Sequence, residues 1–185
     1  MKILVTGANG YLGQGVVKAL LDKGHDVIAT DFKLDNIDKR ATMIASNLFE
    51  VEDPYAFFGN PDVVLHMAWR DGFVHYSENH IKDLPNHYML IQKLSESSVK
   101  TIAVMGSMHE IGFWEGAINE NTPCNPLSLY GVSKNALRDI VKMLAKQNNK
   151  NYQWLRGFYI VGNSQFGSSV FSKLTEAVQK GEKPC

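Results

Sequence analysis

Val5-Thr6-Gly7-Ala8-Asn9-Gly10-Tyr11-Leu12-Gly13 places three glycines three residues apart, directly behind the apolar run Ile3-Leu4-Val5 and ahead of an amphipathic segment. A strand, a tight turn and a helix start are thus written in about ten residues. Gly7 and Gly10 leave room for backbone N–H groups to approach a pyrophosphate, Gly13 lets helix and strand pack closely, and the helix N-terminus adds partial positive charge. Such a stretch opens a dinucleotide-binding βα unit.

Working outward, residues 2–6 read as a buried strand, and 11–23 as a helix with Leu12, Val16, Ala19 and Leu20 on one stripe, stopped by Gly24. A second strand over 25–30 delivers Asp31 eighteen residues after Gly13, the offset at which an acid accepts hydrogen bonds from an adenosine ribose. A carboxylate there repels a 2′-phosphate, which favours NAD over NADP, although Lys33 lies two residues on. Further strands are expected over 41–46, 62–67, 101–106 and 153–158. Helices are expected in the later part of 75–98, with Leu84, Tyr88, Ile91 and Leu94 on one face and Pro85 at a start or kink, over 128–147 with Leu129, Val132, Ala136, Ile140, Val141 and Leu144 as apolar positions, and over 166–180 with Val170, Phe171, Leu174, Ala177 and Val178 on one side. Strands alternating with helices predict an α/β fold, a Rossmann-type doubly wound parallel sheet with helices on both faces.

Lys plus Arg equals Asp plus Glu at 19 each, so no broad charged surface invites nucleic acid or an anionic membrane. Cys124 and Cys185 are far apart and lack metal-ligand spacing, which excludes a zinc site and fits a reducing compartment. No apolar run is long enough to span a bilayer and no leader pattern precedes the first strand, so a cytoplasmic protein is expected. His66 at the end of the fourth strand reads as a hydrogen-bonded packing residue. His75, His80 and His87 are separated by five and seven, unlike a helical metal pair, and read as surface or helix-face residues.

Tyr130 and Lys134 stand at i and i+4 on the helix over 128–147, so both leave one face a turn apart. An ammonium there, together with a bound nicotinamide cation, favours the phenolate and makes a tyrosine a usable base. Alone the pair is cheap; its weight comes from its place behind Gly7, Gly10, Gly13, Asp31 and Ser107.

These features in this order resemble the extended short-chain dehydrogenase/reductases, the NAD-dependent epimerase/dehydratase family acting on nucleotide sugars. Thr6 to Gly13, Ser107 with Gly112, the run 119–134 and the run 156–162 all match that family's segments. The resemblance implies Tyr130 as acid/base, Lys134 as holder of the nicotinamide ribose, and Ser107 as orienter of the reacting oxygen. It also implies Gly7, Asn9, Gly10, Tyr11, Leu12, Gly13, Asp31, Asn47, Leu48, Met67, Ala68, Tyr130 and Lys134 as cofactor contacts. A nucleotide-sugar substrate and a homodimer follow, the latter through the helices of 75–98 and 128–147.

Met108 and His109 occupy the places of the Asp and Glu of the family's 4,6-dehydratases, so that reaction is not expected. His109 is instead a candidate second proton carrier, set against a structural histidine. Ile111 and Asn163 replace a usual Tyr and Pro and should alter pocket shape. Because relatives run on into a smaller substrate domain, 1–165 is expected to be the cofactor domain and 166–185 the start of a substrate region that is largely absent. An epimerase or a 4-ketoreductase is expected, with an idle NAD-binding protein as the alternative.

Overall fold

The apolar strands pair as their composition demands, since runs such as Val63–His66 and Ile102–Val104 cannot leave either face in water. In the computed structural model, which describes residues 1–160 and 170–181, six strands form one sheet: β1 (Lys2–Thr6), β2 (Asp26–Asp31), β3 (Thr42–Ala45), β4 (Val63–His66), β5 (Thr101–Ser107) and β6 (Asn151–Gly157). Their order is β3-β2-β1-β4-β5-β6 and every pairing is parallel. The expected doubly wound sheet is therefore present, and its order reverses between β1 and β4, where such sheets open a crevice at their carboxyl ends.

Alternate strand residues feed two cores, as the period of two requires. Ile3, Val5, Val27 and Ala29 pack with Val17 of α1 (Tyr11–Asp22) on one face. On the other face, Leu4, Val64, Ile102 and Val104 meet Leu90, Ile91 and Leu94 of α4 (Leu84–Glu96), along with Leu137 and Val141 of α5 (Leu129–Gln147). Each such fully buried side chain contributes about 1.5–3 kcal/mol. The remaining helices are the short α2 (Pro54–Phe57) and α3 (Asn79–Lys82), and α6 (Val170–Gln179).

Several boundaries and faces differ from the sequence reading. Strand β6 begins at Asn151 because the whole of 151–157 pairs with 101–107. The stripe of α1 is rotated by one residue: it buries Gly13 and Val17, whereas Ala19 is exposed. The cause is Gly13, whose missing Cβ would fall onto the Gly7 carbonyl oxygen, so this face must meet the turn. In α4 the buried face includes His87, and Tyr88 is left outside; in α5 Ser133 and Lys134 are buried and Val132 is exposed. Leu174 and Val178 of α6 are also exposed. Pro85 does sit in the first turn of α4, where its missing N–H costs nothing. Gly162, Asn163, Cys185 and the beginning of the helix expected over 166–180 lie outside the described residues.

Candidate functional site

The turn after β1 and the end of β4 build the crevice together. Gly7 has φ +67, and a Cβ on it would come within 2.7 Å of the Ala68 amide nitrogen, so the two segments touch through backbone alone. Gly10 N donates to Gly7 O at 3.1 Å and closes the turn. Gly10 caps α1 without a side-chain hydrogen bond, and no acidic residue stands in the first turn. The first amides of α1 therefore keep no side-chain acceptor, and the cap residue Gly10 lines a cleft, the arrangement that attracts an anion.

This cleft, of about 700 Å³, opens beside the turn. Gly7, Gly10, Asp31, Asn47, Leu48, Met67 and Ala68, all expected at a cofactor, line it, whereas Asn9, Tyr11, Leu12, Gly13, Tyr130 and Lys134 do not. Gly13 works inside the turn instead, and Asn9 braces it. Asn9 N donates to Asp31 Oδ2 at 3.0 Å, and Asn9 Oδ1 accepts from Asn36 N at 3.0 Å. The Tyr11 hydroxyl is enclosed with no hydrogen-bond partner. Asp31 also accepts from Phe32 N at 2.8 Å, so its carboxylate is held at the cleft edge with lone pairs to spare. Asn47 Nδ2 donates to Glu50 Oε1 at 2.7 Å. Sequence reasoning missed Phe32, Arg70, Asp83 and Asn86, which also line the cleft; Arg70 and Asp83 are ion-paired with each other.

Ser107, Tyr130 and Lys134 converge next to this cleft. Ser107 ends β5; Ser128 caps α5 by accepting from Gly131 N at 3.2 Å, which sets the phase that brings Tyr130 and Lys134 to β5. Gly131 is required where it stands, since a Cβ would strike the His109 carbonyl oxygen. Tyr130 N donates to His75 O at 2.9 Å, and Ser107 acts on its phenol. Burial pushes the phenol above its ordinary value; Ser107 opposes that, and the Glu110 charge adds to it.

The expected lowering of the phenol by Lys134 is not found in the protein by itself, where burial is the largest influence and raises it. Lys134 is itself 3 % exposed, and burial lowers its ammonium to about 7 against the opposing pull of Glu110. Lys134 Nζ donates to Met105 O at 2.8 Å and lies 4.0 Å from the centre of a Trp69 ring.

Behind the serine lies a carboxylate that was not among the expected site residues. Glu110 is fully buried; Oε1 accepts from Ser107 N at 2.6 Å, and Oε2 accepts from Trp154 Nε1 at 2.9 Å and Arg156 Nη2 at 3.0 Å. The buried charge is thus paired and multiply hydrogen-bonded, the condition under which such a group is tolerated. It fixes the backbone of Ser107 from within the protein. The local signal was the Ser-x-x-Glu spacing of a capping box at 107–110.

The histidines need a second correction. His80 and His87 are 1 % and 2 % exposed and belong to the interior, not the surface. Trp69 Nε1 donates to His80 Nδ1 at 3.0 Å, so His80 Nε2 carries the proton that goes to Val74 O at 3.0 Å. Trp69 also stacks on His87, with ring centres 4.4 Å apart. His66 is a buried packing residue as read, hydrogen-bonded to Thr6 and His87 at 2.8 Å each. His109 N donates to Ser107 Oγ at 3.3 Å; its ring lies 4.1 Å from that of His75 and 5.6 Å from that of Tyr130. Burial and then His75 lower its pKa. Among the described residues no cluster of three His, Cys, Asp or Glu side chains could hold a metal, and no helix is long and apolar enough to cross a membrane.

A family model described as the NAD dependent epimerase/dehydratase family matches residues 3–185. The chain is 39% identical over 185 residues to dTDP-6-deoxy-L-talose 4-dehydrogenase (NAD(+)) of Aggregatibacter actinomycetemcomitans, covering 96% of this chain and 68% of that protein. It is 30% identical over 197 residues to an uncharacterized UDP-glucose epimerase of Bacillus subtilis, covering 94% of this chain and 61% of that one. Among solved structures, UDP-glucose 4-epimerase of Thermotoga maritima, determined with UDP-glucose, superposes with a TM-score of 0.84 at 24% identity, over 99% of this chain and 64% of that one. UDP-glucuronic acid 4-epimerase of Bacillus cereus, in complex with UDP-glucuronic acid and NAD, gives 0.82 at 23% identity, over 100% and 65%. These last two show the shared fold. The chain spans about two thirds of the length of such relatives.

Proposed function

The chain belongs to the NAD dependent epimerase/dehydratase family, and from that premise we propose that it serves NAD-dependent oxidation or reduction of a nucleotide sugar, with Tyr130 as the acid/base. The observation that carries this reading is the meeting of Ser107, Tyr130 and Lys134 at the end of β5, beside a cleft that begins at the Gly7 turn. The residues fit a dinucleotide. An uncapped helix start is ready for a pyrophosphate, Asp31 for the adenosine ribose, and Asn47 with Leu48 for the adenine. NAD, when bound, supplies a hydride acceptor, or in reduced form a hydride donor.

The rest is the work of the side chains. Ser107, held by the Glu110 carboxylate at its amide, hydrogen-bonds the reacting oxygen and aligns it with the phenol. Tyr130 takes the proton of a sugar carbinol during oxidation and returns one during ketone reduction. Lys134 Nζ lies 6.0 Å from the centre of the Tyr130 ring, and in its protonated form it favours the phenolate during that transfer. The His109 and His75 rings each lie 5.6 Å from the Tyr130 ring and offer a second place for a proton. Met108 and His109 cannot replace an Asp-Glu pair, so a 4,6-dehydratase is not proposed.

A 4-dehydrogenase, which is a 4-ketoreductase in reverse, is favoured over an epimerase because the relative at 39% identity is named as a 4-dehydrogenase. The epimerase reading draws on the second relative. NADH accumulation separates the two: a dehydrogenase forms NADH in proportion to keto sugar, whereas an epimerase interconverts sugars with no net change in the cofactor. Exposed Met89 and Met143 on α4 and α5 support a homodimer through these helices, which sedimentation would test.

A further inference from the structure

The hydrogen bonds under the cleft determine which nitrogen of each buried histidine carries its proton. Thr6 Oγ1 accepts from the amides of Ala68 and Met67, at 3.2 Å each, the Met67 N–H being shared with Thr6 O at 3.2 Å, so that both of its lone pairs are engaged. Its own proton is what remains for His66 Nδ1, 2.8 Å away. His66 is then protonated on Nε2 and donates to His87 Nδ1 at 2.8 Å. His87 is in turn protonated on Nε2.

Among the described residues that last N–H has no protein acceptor. His87 lines the cleft, and Nε2 is not one of the enclosed unpartnered atoms of those residues, which are Tyr11 Oη, Ser133 Oγ and Asn135 Oδ1. The 2 % of His87 that stays exposed therefore includes Nε2, facing the cleft. The ring cannot turn away: Trp69 stacks on it at 4.4 Å, and Phe49 meets it edge-on at 4.8 Å.

We propose that His87 Nε2–H is a pre-oriented, uncharged hydrogen-bond donor to a diphosphate oxygen of the dinucleotide, opposite the Gly7 turn, its tautomer set by the chain Thr6–His66–His87. The proposal rests on the reading of the cleft as a dinucleotide site. A diphosphate held between α1 amides on one wall and a histidine N–H on the other receives donors from both sides, and neither wall has to move or lose a proton to supply them. Burial, reinforced by His66 and Lys134, keeps His87 neutral at physiological pH, consistent with a single fixed proton.

Calorimetric titration of NAD into the wild type, His87→Phe and His87→Gln provides one test, and long-range proton–nitrogen NMR of the wild type the other. Phe keeps the ring that Trp69 and Phe49 clamp but removes the N–H; the Gln side-chain nitrogen restores a donor near the Nε2 position. The expected result is a loss of roughly ten- to a hundredfold in affinity for His87→Phe, substantial recovery in His87→Gln, and a His87 signal protonated on Nε2 that shifts when NAD is added. Wild-type affinity in His87→Phe, or a His87 protonated on Nδ1, would overturn the proposal while leaving the cofactor reading standing. Failure of the wild type itself to bind NAD would overturn both. The NMR arm needs no variant, so a misfolded His87→Phe leaves the tautomer open to refutation.

Discussion

Acid should unfold this protein through His66 and His87 well before its carboxylates are neutralised. Both rings are buried, and both are depressed by loss of water: His66 to about 3, with Lys134 adding to the effect, and His87 to about 2, with His66 and then Lys134 adding. In the unfolded chain each returns to about 6.5. As pH falls below that value the unfolded state takes up two protons that the folded state refuses. The associated stability is complete above pH 6.5 and is lost as pH falls toward 3. Between pH 6 and pH 5 the loss is about 1.2 kcal/mol per histidine, or roughly 2.4 kcal/mol together, a large share of the 5–15 kcal/mol typical of a domain. Urea denaturation followed by circular dichroism at the two pH values, on the wild type and on His66→Gln, reads this directly. The variant should lose only about half as much over the same interval, whatever its stability at neutral pH. Equal pH dependence in the two proteins, or a wild-type loss much below 1 kcal/mol, would refute the assignment of these histidines as buried and neutral.

Tyr130→Phe should lower turnover by roughly 10²–10⁴-fold and leave NAD affinity within a factor of about two, measured by single-turnover kinetics and titration. Gly13→Ala places a Cβ against the Gly7 carbonyl and should cost about 3 kcal/mol or more in urea unfolding, with loss of NAD binding. Lys134→Met should gain stability relative to the wild type near pH 7, because a lysine with a folded value of about 7 refuses the proton that the unfolded chain binds. That advantage should shrink by about 2 kcal/mol between pH 7 and pH 9, and a constant difference would count against it. Glu110→Gln keeps the shape of the buried acid but removes its charge; it should leave Arg156 unpaired and destabilise the protein by about 3 kcal/mol or more, which thermal unfolding would report.

What could be read from the chain was local. The glycine turn, Asp31 at a strand end, Pro85 in a first helical turn and the Tyr130–Lys134 pair each declare themselves within a few residues, because backbone sterics and helical period act over that range. What could not be read depends on partners far apart. Glu110 meets Arg156 46 residues away, and His87 meets His66 at a separation of 21. Neither pair leaves a periodic trace. The helix faces were misjudged for a related reason. Apolar residues alone suggested Ala19 and Tyr88, whereas close approach of Gly13 to the turn and hydrogen bonding of His87 decided which side faces inward. A histidine with a partner for one nitrogen and a ring stacked on another is an interior residue, and sequence gives no sign of those partners. The expected effect of Lys134 on Tyr130 is not found in the protein by itself on the same ground, since the degree of burial was not legible and burial is the largest influence on both groups.

The central claim, that the Gly7 turn and Asp31 hold NAD beside Tyr130, is tested most directly by titrating NAD and NADP in parallel into the 185-residue chain. NAD should bind at least tenfold more tightly than NADP, since a 2′-phosphate would meet the Asp31 carboxylate, and Asp31→Asn should narrow that gap. Tighter binding of NADP, or no binding of either dinucleotide, would contradict it.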